Sequence, residues 1–186
     1  MERLVQAITN CTVCDLYRTR THVVPGKGPT NASIMIVGEA PGAEEDACGE
    51  PFVGAAGKML TRLLKEAGIN RDDVFITNIL KCRPPGNADP TPDQIAACIN
   101  YLKAQIKIVQ PKVIVTLGRY SSSRLSLVYG TMGSLLQYDD LSYEGIPIIP
   151  LYHPSYLLRL GHGKSPKGKE VARDCVARLT KVASFG

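Results

Sequence analysis

The chain has 186 residues, of which 44% are hydrophobic, and a formal net charge of +5. This length suits one domain with a sizeable core, and the composition excludes a repeat array, a low-complexity tract and a Pro- or Ser-rich linker. No apolar run approaches the roughly 20 residues that span a bilayer, and the first residues lack the apolar core of a secretory signal. We therefore expect one domain over residues 1–186 in an intracellular, cytoplasmic protein with no membrane contact. The modest positive charge suits a polyanionic partner without requiring one.

Six cysteines are present: Cys11, Cys14, Cys48, Cys82, Cys98 and Cys175. In an intracellular chain, cysteines bind metals, take part in catalysis or are merely buried more often than they form disulfides. Cys11 and Cys14 form a C-x-x-C, whose spacing lets two thiolates converge on one metal or form a redox disulfide. With Cys82 and Cys98 they can make a four-cysteine site, for which spacing alone leaves zinc and iron–sulfur open. The remaining two are interpreted as spare thiols.

The first predicted strand is the short apolar run 33–37, which ends in a Gly-rich turn. The GEAPG sequence at 38–42 and the acidic residues after it are either a turn with a solvated acidic stretch or part of a ligand site. They do not resemble a phosphate-binding loop, because the P-loop lysine is missing and the acidic residues would repel phosphate. Phe52, between Pro and Gly, is either a core residue or a flat face for a planar ligand.

The middle of the chain continues the alternation of helix and strand. An apolar stripe at helical spacing predicts a helix over 58–67, ended by Gly68. The run 74–77 predicts a second strand, and Asn78 lies where it ends. An asparagine amide offers a donor and an acceptor, so this residue either closes a turn or pairs with a heterocycle edge. The TPDQ sequence at 91–94 is a capping box that predicts a helix running towards residue 109.

The last third of the chain supplies two more strands. The apolar runs 113–117 and 146–151 predict the third and fourth strands, and a small hairpin is expected between residues 135 and 146. His153 follows the fourth strand directly and is held by the next proline. It is either a structural histidine or a donor aimed into a crevice. An amphipathic pattern predicts a final helix over 169–185.

Strands that alternate with helices predict an α/β fold with a mostly parallel sheet covered on both faces. Ligands in such folds gather at the carboxyl ends of the strands, where the loops open onto a crevice. The candidate ligand-binding segments are therefore 38–46, 78–87, 118–121 and 153–159.

Taken together, the motifs resemble the family 4 uracil-DNA glycosylases, which carry an iron–sulfur cluster. The resemblance rests on the early C-x-x-C, on GEAPG followed by EED and PFVG, on TNILKCRPPGN, on the later Cys98 and on HPSYLLR, and it covers nearly the whole chain. It implies a three-layer α/β/α sandwich with a central four-stranded parallel sheet. It also implies a base excision repair enzyme that hydrolyses the N-glycosidic bond of deoxyuridine in DNA, releasing uracil and leaving an abasic site. Its partner would be single- or double-stranded uracil-containing DNA, and we expect a monomer.

The resemblance implies a cofactor as well. It makes Cys11, Cys14, Cys82 and Cys98 the ligands of a structural [4Fe-4S] cluster. Such a cluster would join the N-terminal segment to the loop and helix that carry the later pair.

For the base, the resemblance implies Glu39 and Ala40 at the pocket wall, Phe52 stacking on uracil, Asn78 reading its edge and His153 contacting its O2. Uracil presents O4 as an acceptor and N3–H as a donor, which one asparagine amide can match. Cytosine would leave mismatched groups, each costing about 1–3 kcal/mol when buried. A donor at O2 would stabilise the charge that develops as the base leaves.

The attacking water needs a group that positions it. The related family 1 enzymes place an aspartate where this chain has Ala40. We therefore predict that Glu45 with Asn87 positions the water, with Glu39 as the next candidate.

A base in a duplex must be flipped out before it can react. Tyr156, Leu157 and Arg159 are predicted to act as a wedge or to contact DNA, because they follow His153 closely. Four basic residues are either further phosphate contacts or part of a solvated face, namely Arg119, Arg124, Lys164 and Lys167.

Two alternative functions fit these residues less well. A cluster-containing relative traps uracil covalently through a histidine in an inserted basic loop, but the RPPGNADPTP sequence after Cys82 has neither the insertion nor a histidine. A non-catalytic iron–sulfur module that only binds DNA or a replication partner would need no base-sized slot, and the set Glu39, Phe52, Asn78 and His153 argues for one. We therefore expect turnover.

Overall fold

A mixed sheet lies at the centre of the computed structural model, which describes residues 1–161 and 164–186. Its strands are β1 (Ile34–Gly38), β2 (Phe75–Asn78), β3 (Val113–Leu117), β4 (Ser142–Tyr143) and β5 (Ile146–Leu151), in the order β2-β1-β3-β5-β4. The pairs β2–β1, β1–β3 and β3–β5 are parallel, whereas β4 pairs with β5 in the antiparallel sense. The four predicted strands are confirmed. The predicted four-stranded, wholly parallel sheet is wrong, because β4 adds a fifth strand at the edge.

The fifth strand results from a tight reversal of the chain. Glu144 and Gly145 have φ values of 50° and 84°, and two successive positive values are typical of the type I′ turn that joins two-residue hairpins. The turn pairs Tyr143 with Ile146. A hairpin was predicted between residues 135 and 146, and the structure forms it with β5 as the second strand.

The helices in the described residues are α1 (Glu2–Thr9), α2 (Ala43–Cys48), α3 (Ala55–Glu66), α4 (Pro92–Val109), α5 (Arg119–Ser126), α6 (Met132–Leu135), α7 (Pro154–Arg159) and α8 (Pro166–Ala183). The predicted helices correspond to α3, α4 and α8. The capping box of α4 is present, because Thr91 Oγ1 accepts from the Gln94 amide at 3.2 Å and Gln94 Oε1 accepts from the Thr91 amide at 3.1 Å. In the described part of the chain, none of the helices combines the length and the apolar character needed to cross a membrane.

The sheet is covered on both faces. Ile34 and Ile36 of β1 belong to the core formed with α3 and α8, whereas Met35 and Val37 belong to the core formed with α4 and α5. This alternation follows from the period of two along a strand. The molecule is therefore a three-layer α/β/α structure, as predicted.

The register of the parallel strands brings four loops to one edge of the sheet. Gly38 is paired with Asn78, and Leu117 is paired with Leu151. The segments that follow β1, β2, β3 and β5 consequently begin at the same level, so their first residues can line one crevice.

Candidate active site

A cleft of about 750 Å³ opens at the carboxyl ends of the parallel strands. Each of the four strands contributes to its lining: Glu39 follows β1, Asn78 ends β2, Gly118 follows β3 and His153 follows β5. The lining also includes Ala40, Glu45, Phe52, Asn87, Tyr156 and Arg159. Every residue predicted to bind uracil or to position water therefore lines this cleft.

Asn78 presents an unpaired hydrogen-bonding atom in the cleft. The residue is 1% exposed, and its side-chain Oδ1 has no hydrogen-bond partner among the described residues. A buried amide oxygen left in this state costs about 1–3 kcal/mol unless a ligand supplies a donor. A side chain at position 38 would collide with this oxygen and with the Phe52 ring. Gly38 therefore lets the asparagine amide and the aromatic ring lie side by side.

Phe52 combines the two roles that the sequence left open. Its side chain is buried in the core shared with α3, and it also lines the cleft. The centroids of the Phe52 and His153 rings are 6.0 Å apart, and the ring planes are tilted by 35°. The aromatic wall of the cleft is thus fixed by core packing.

His153 is held in one tautomer by its own helix. Its Nδ1 accepts a hydrogen bond from the Ser155 amide at 3.2 Å and lies 2.8 Å from Ser155 Oγ. A ring nitrogen that accepts carries no proton, so the neutral imidazole keeps its N–H on Nε2. Burial, with a smaller contribution from Arg159, lowers the pKa of His153 to about 4. At neutral pH the ring is therefore an uncharged donor.

Glu45 is mainly bonded to backbone amides. The acidic stretch after GEAPG forms α2, and Glu45 is only 8% exposed. Its Oε1 accepts from the amides of Val53 at 3.0 Å and Gly54 at 2.9 Å, and its Oε2 accepts from the Gly42 amide at 3.1 Å. A carboxylate offers about four lone-pair sites, so roughly one is left for another donor. Glu45 thus ties the loop after Phe52 to the start of α2.

Glu39 is the carboxyl in the cleft with the most altered acidity. Burial, with a smaller contribution from Asp89, raises the pKa of Glu39 to about 7, and Arg119 partly opposes this rise. A group with such a pKa exchanges its proton near neutral pH, which suits general acid–base catalysis.

Asn87 also lines the cleft and lies in a single 3-10 turn (Pro85–Asn87). Its backbone has a φ of 55°. The side-chain Oδ1 accepts from Arg83 Nε at 2.8 Å. The predicted pair of Glu45 and Asn87 therefore shares the cleft, but both residues already have protein partners.

A second cavity brings four cysteines together. Cys11, Cys14, Cys82 and Cys98 line it, along with apolar residues of α1, α4 and the N-terminal segment. Arg20 Nη1 donates to Cys82 Sγ at 3.2 Å, and the Lys81 amide donates to Cys98 Sγ at 3.3 Å. Within residues 1–161 and 164–186, no three Cys, His, Asp or Glu side chains converge closely enough to hold one metal ion.

Comparison with known proteins gives the family. The family model described as "Uracil DNA glycosylase superfamily" matches residues 25–177. The chain belongs to this superfamily. A Type-4 uracil-DNA glycosylase of Sulfurisphaera tokodaii is 47% identical over 166 residues, covering 85% of this chain and 76% of that protein. Proteins with the same name from Thermotoga maritima (44% identity; 100% and 94% covered) and Archaeoglobus fulgidus (42%; 85% and 83%) are similar along most of their length, which shows that the chain is a type-4 member.

In this member of the superfamily, the residues predicted to contact DNA differ in exposure. Tyr156 stacks on Tyr152 with a centroid distance of 5.2 Å, and the Arg159 guanidinium lies 5.7 Å from the Tyr156 ring centroid. Leu157 is 0% exposed and packs in the core. Its side chain therefore has no surface with which to contact DNA, because this position of α7 faces inward.

The four basic residues considered for phosphate contacts also differ. Arg119 is exposed, lines the cleft and lies 4.8 Å from the centroid of the Tyr120 ring. Arg124 lies against Tyr129, Lys167 pairs with Glu170 at 3.2 Å, and Lys164 is exposed. Arg119 is the one of the four that lines the cleft of this family member.

Two residues that support this site were not predicted from the sequence. Ser155, two positions after His153, sets the histidine tautomer, and the His-Pro-Ser order was the available signal. Lys81 is buried, and its Nζ donates to the Asn78 carbonyl at 2.6 Å, to Thr77 Oγ1 at 2.7 Å and to Gln105 Oε1 at 2.7 Å. A lysine is rarely fully buried, so its sequence position gave no sign of this role.

Proposed function

We propose that this protein hydrolyses the N-glycosidic bond of deoxyuridine in DNA, releasing free uracil and leaving an abasic site. The observation that carries the proposal is the buried, unpaired Oδ1 of Asn78 beside the Phe52 ring. The N3–H of uracil supplies the donor that this oxygen lacks, and the amide nitrogen can donate to O4. Cytosine offers an acceptor at N3 and would leave the oxygen unpaired, at a cost of about 1–3 kcal/mol. Phe52 provides the flat surface on which the ring stacks.

His153 would stabilise the leaving group. As the bond to the sugar breaks, negative charge develops on the uracil ring, in part on O2. A fixed neutral N–H at this atom stabilises the transition state more than the ground state. The tautomer set by Ser155 leaves the Nε2 proton available for this purpose.

Carboxylates in the cleft would act on the sugar and on the attacking water. The sugar becomes cation-like as uracil leaves, and negative groups near it lower the barrier. We assign the positioning of the attacking water to Glu45 with Asn87, and Glu39 is the second candidate. Glu45 has about one lone-pair site left beyond its backbone partners.

The pH dependence of the rate should report on Glu39. Its ionised form is needed to accept a proton from water or to stabilise the sugar cation. Because its pKa is raised to about 7, the single-turnover rate should rise as the pH increases through about 7 and then level off. Glu39→Gln should remove this rise. A wild-type profile that is flat between pH 6 and 8 would exclude this role for Glu39.

We further propose that Cys11, Cys14, Cys82 and Cys98 hold a [4Fe-4S] cluster. All four line one cavity with apolar walls, and N–H groups of Arg20 and Lys81 point at two of the sulfurs, as expected for thiolates that share negative charge. The four thiols alone could hold zinc or an iron–sulfur cluster. The similarity to type-4 uracil-DNA glycosylases favours the cluster. The cluster would have a structural role, because it would join the N-terminal segment to the loop that carries Cys82 and to α4, which carries Cys98.

Loss of one ligand should therefore remove iron and stability together. Cys82→Ser should yield colourless protein with a lower melting temperature, because metal binding and folding are coupled when ligands come from distant segments. Cys48→Ser is the matched control, since Cys48 is exposed and lies outside this cavity. Iron content, visible absorbance and thermal unfolding of anaerobically purified protein measure the effect. A colourless wild type with stoichiometric zinc would overturn the assignment.

The proposed activity has a direct test. A labelled oligonucleotide with one uracil should release free uracil and become sensitive to alkali at that position, whereas matched oligonucleotides with cytosine or thymine should not. Binding without release would identify a non-catalytic module, and a covalent adduct would identify the trapping alternative. Tyr156 and Arg159 are our candidates for DNA contact, since both line the cleft.

A further inference from the structure

Phe52 adopts a backbone conformation that is rare for its residue type. Its φ is 53°, in the left-handed region that L-residues other than Asn and Asp seldom occupy. A bulky residue persists there only where its surroundings determine the conformation. The ring it carries lines the cleft and packs in the core. The groups that hold this peptide therefore determine where the ring lies.

Arg71 binds the chain on one side of Phe52. Its Nη2 donates to the carbonyls of Phe52 at 2.8 Å and Pro51 at 3.2 Å. Its Nη1 donates to Thr61 Oγ1 at 2.9 Å and to the Gly57 carbonyl at 3.3 Å. A planar guanidinium can serve several acceptors in fixed directions, which an ammonium cannot do. One side chain thus joins the Phe52 loop to the first turns of α3.

Two further features complete this arrangement. A side chain at Gly57 would overlap the Phe52 carbonyl. Glycine at this position therefore lets α3 lie close to the Phe52 loop, so that Arg71 can bind the helix and the loop at the same time. On the other side of Phe52, Glu45 accepts from the amides of Val53 and Gly54. The loop is therefore held through its carbonyls by a cation and through its amides by an anion.

We propose that Arg71 is a positioning residue for uracil excision: it holds Phe52 in its left-handed conformation, so that the ring is already in place to stack on the flipped uracil. The inference rests on the proposed function. Arg71 is in a 3-10 turn (Arg71–Asp73) before β2 and is absent from the cleft lining, so it acts through Phe52. A role limited to stability would lower the melting temperature without depending on the aromatic ring.

A double-mutant cycle separates these two roles. Arg71→Met keeps the apolar stem and removes all donors, and we expect it to lower the single-turnover rate about tenfold or more in the wild-type background. In a Phe52→Leu background the same change should alter the rate less than threefold, because the ring that Arg71 positions is gone. Arg71→Lys should recover only part of the rate. Arg62→Met, which removes an exposed arginine of α3 that pairs with Glu66, should leave the rate unchanged.

The outcomes distinguish this proposal from the proposed function. If the wild type releases no uracil, the proposed function fails. If the wild type is active and Arg71→Met is equally active, or loses the same factor with and without Phe52, the positioning role is overturned while the activity stands. Should Arg71→Met not fold, the same cycle run with Arg71→Lys decides by the same criterion. Melting temperatures of all variants record the structural contribution separately.

Discussion

His153→Ala is expected to lower the single-turnover rate of uracil release about 10²–10³-fold, as removal of one donor to a developing anion commonly does. The affinity for uracil-containing DNA should change only a few-fold, because the interaction strengthens in the transition state. Ser155→Ala should cause a smaller loss, because it removes the hydroxyl next to Nδ1 but keeps the backbone amide that donates to this nitrogen.

The control for this prediction is His22→Ala. His22 is bonded to the Asp46 carbonyl at 3.0 Å and does not line the cleft, so its loss should leave the rate unchanged. Since burial lowers the pKa of His153 to about 4, protonation of this ring should not affect activity until the pH approaches 4. Single-turnover rates for His153→Ala within a few-fold of wild type would show that the donor is another group.

Asn78→Asp is expected to reduce uracil excision by roughly 10²–10⁴-fold, which corresponds to the 3–5 kcal/mol typical of an uncompensated buried charge. The carboxylate loses the donor that meets O4 and places a negative charge beside the anion that forms on cleavage. Any cytosine excision should be small and should rise as the pH falls, because a protonated carboxyl regains a donor for N3 of cytosine.

The measurement is a side-by-side assay of uracil and cytosine excision across a pH series. Asn100→Asp is a suitable control, because Asn100 is an exposed residue of α4 and its substitution introduces the same negative charge away from the cleft. An Asn78→Asp enzyme with near wild-type uracil excision would show that Asn78 does not read the base, and the discrimination mechanism would have to be abandoned.

Periodic patterns and capping residues predicted most of the sheet and the long helices. The strands β1, β2, β3 and β5 are uninterrupted apolar runs, and α4 begins at its capping box. The positions of Asn78 and His153 followed from the general rule that ligands bind at the carboxyl ends of parallel strands. These features depend on local sequence, which is why they could be predicted.

Features that depend on tertiary contacts were missed. The sequence left open whether the acidic stretch of α2 is solvated or part of a ligand site, and it did not show that amides of Val53 and Gly54 bind the buried Glu45 carboxylate. Leu157 was assigned to the DNA surface because it is close in sequence to His153, yet the helical rotation of α7 turns it into the core. Arg71 contacts a loop about twenty residues earlier. No local pattern marks such a contact.

The parallel ladder has a consequence for how this site tolerates changes in length. Gly38 and Asn78 are paired, as are Leu117 and Leu151, so hydrogen-bond register fixes the spacing between the residues that follow the strands. Segments that enter the parallel strands from the opposite edge, such as 110–112 before β3, can therefore gain or lose residues without altering which base fits. A single deletion within β2 would instead turn the amide of Asn78 to the other face of the sheet. Variation in chain length among functional relatives should accordingly fall outside the strands.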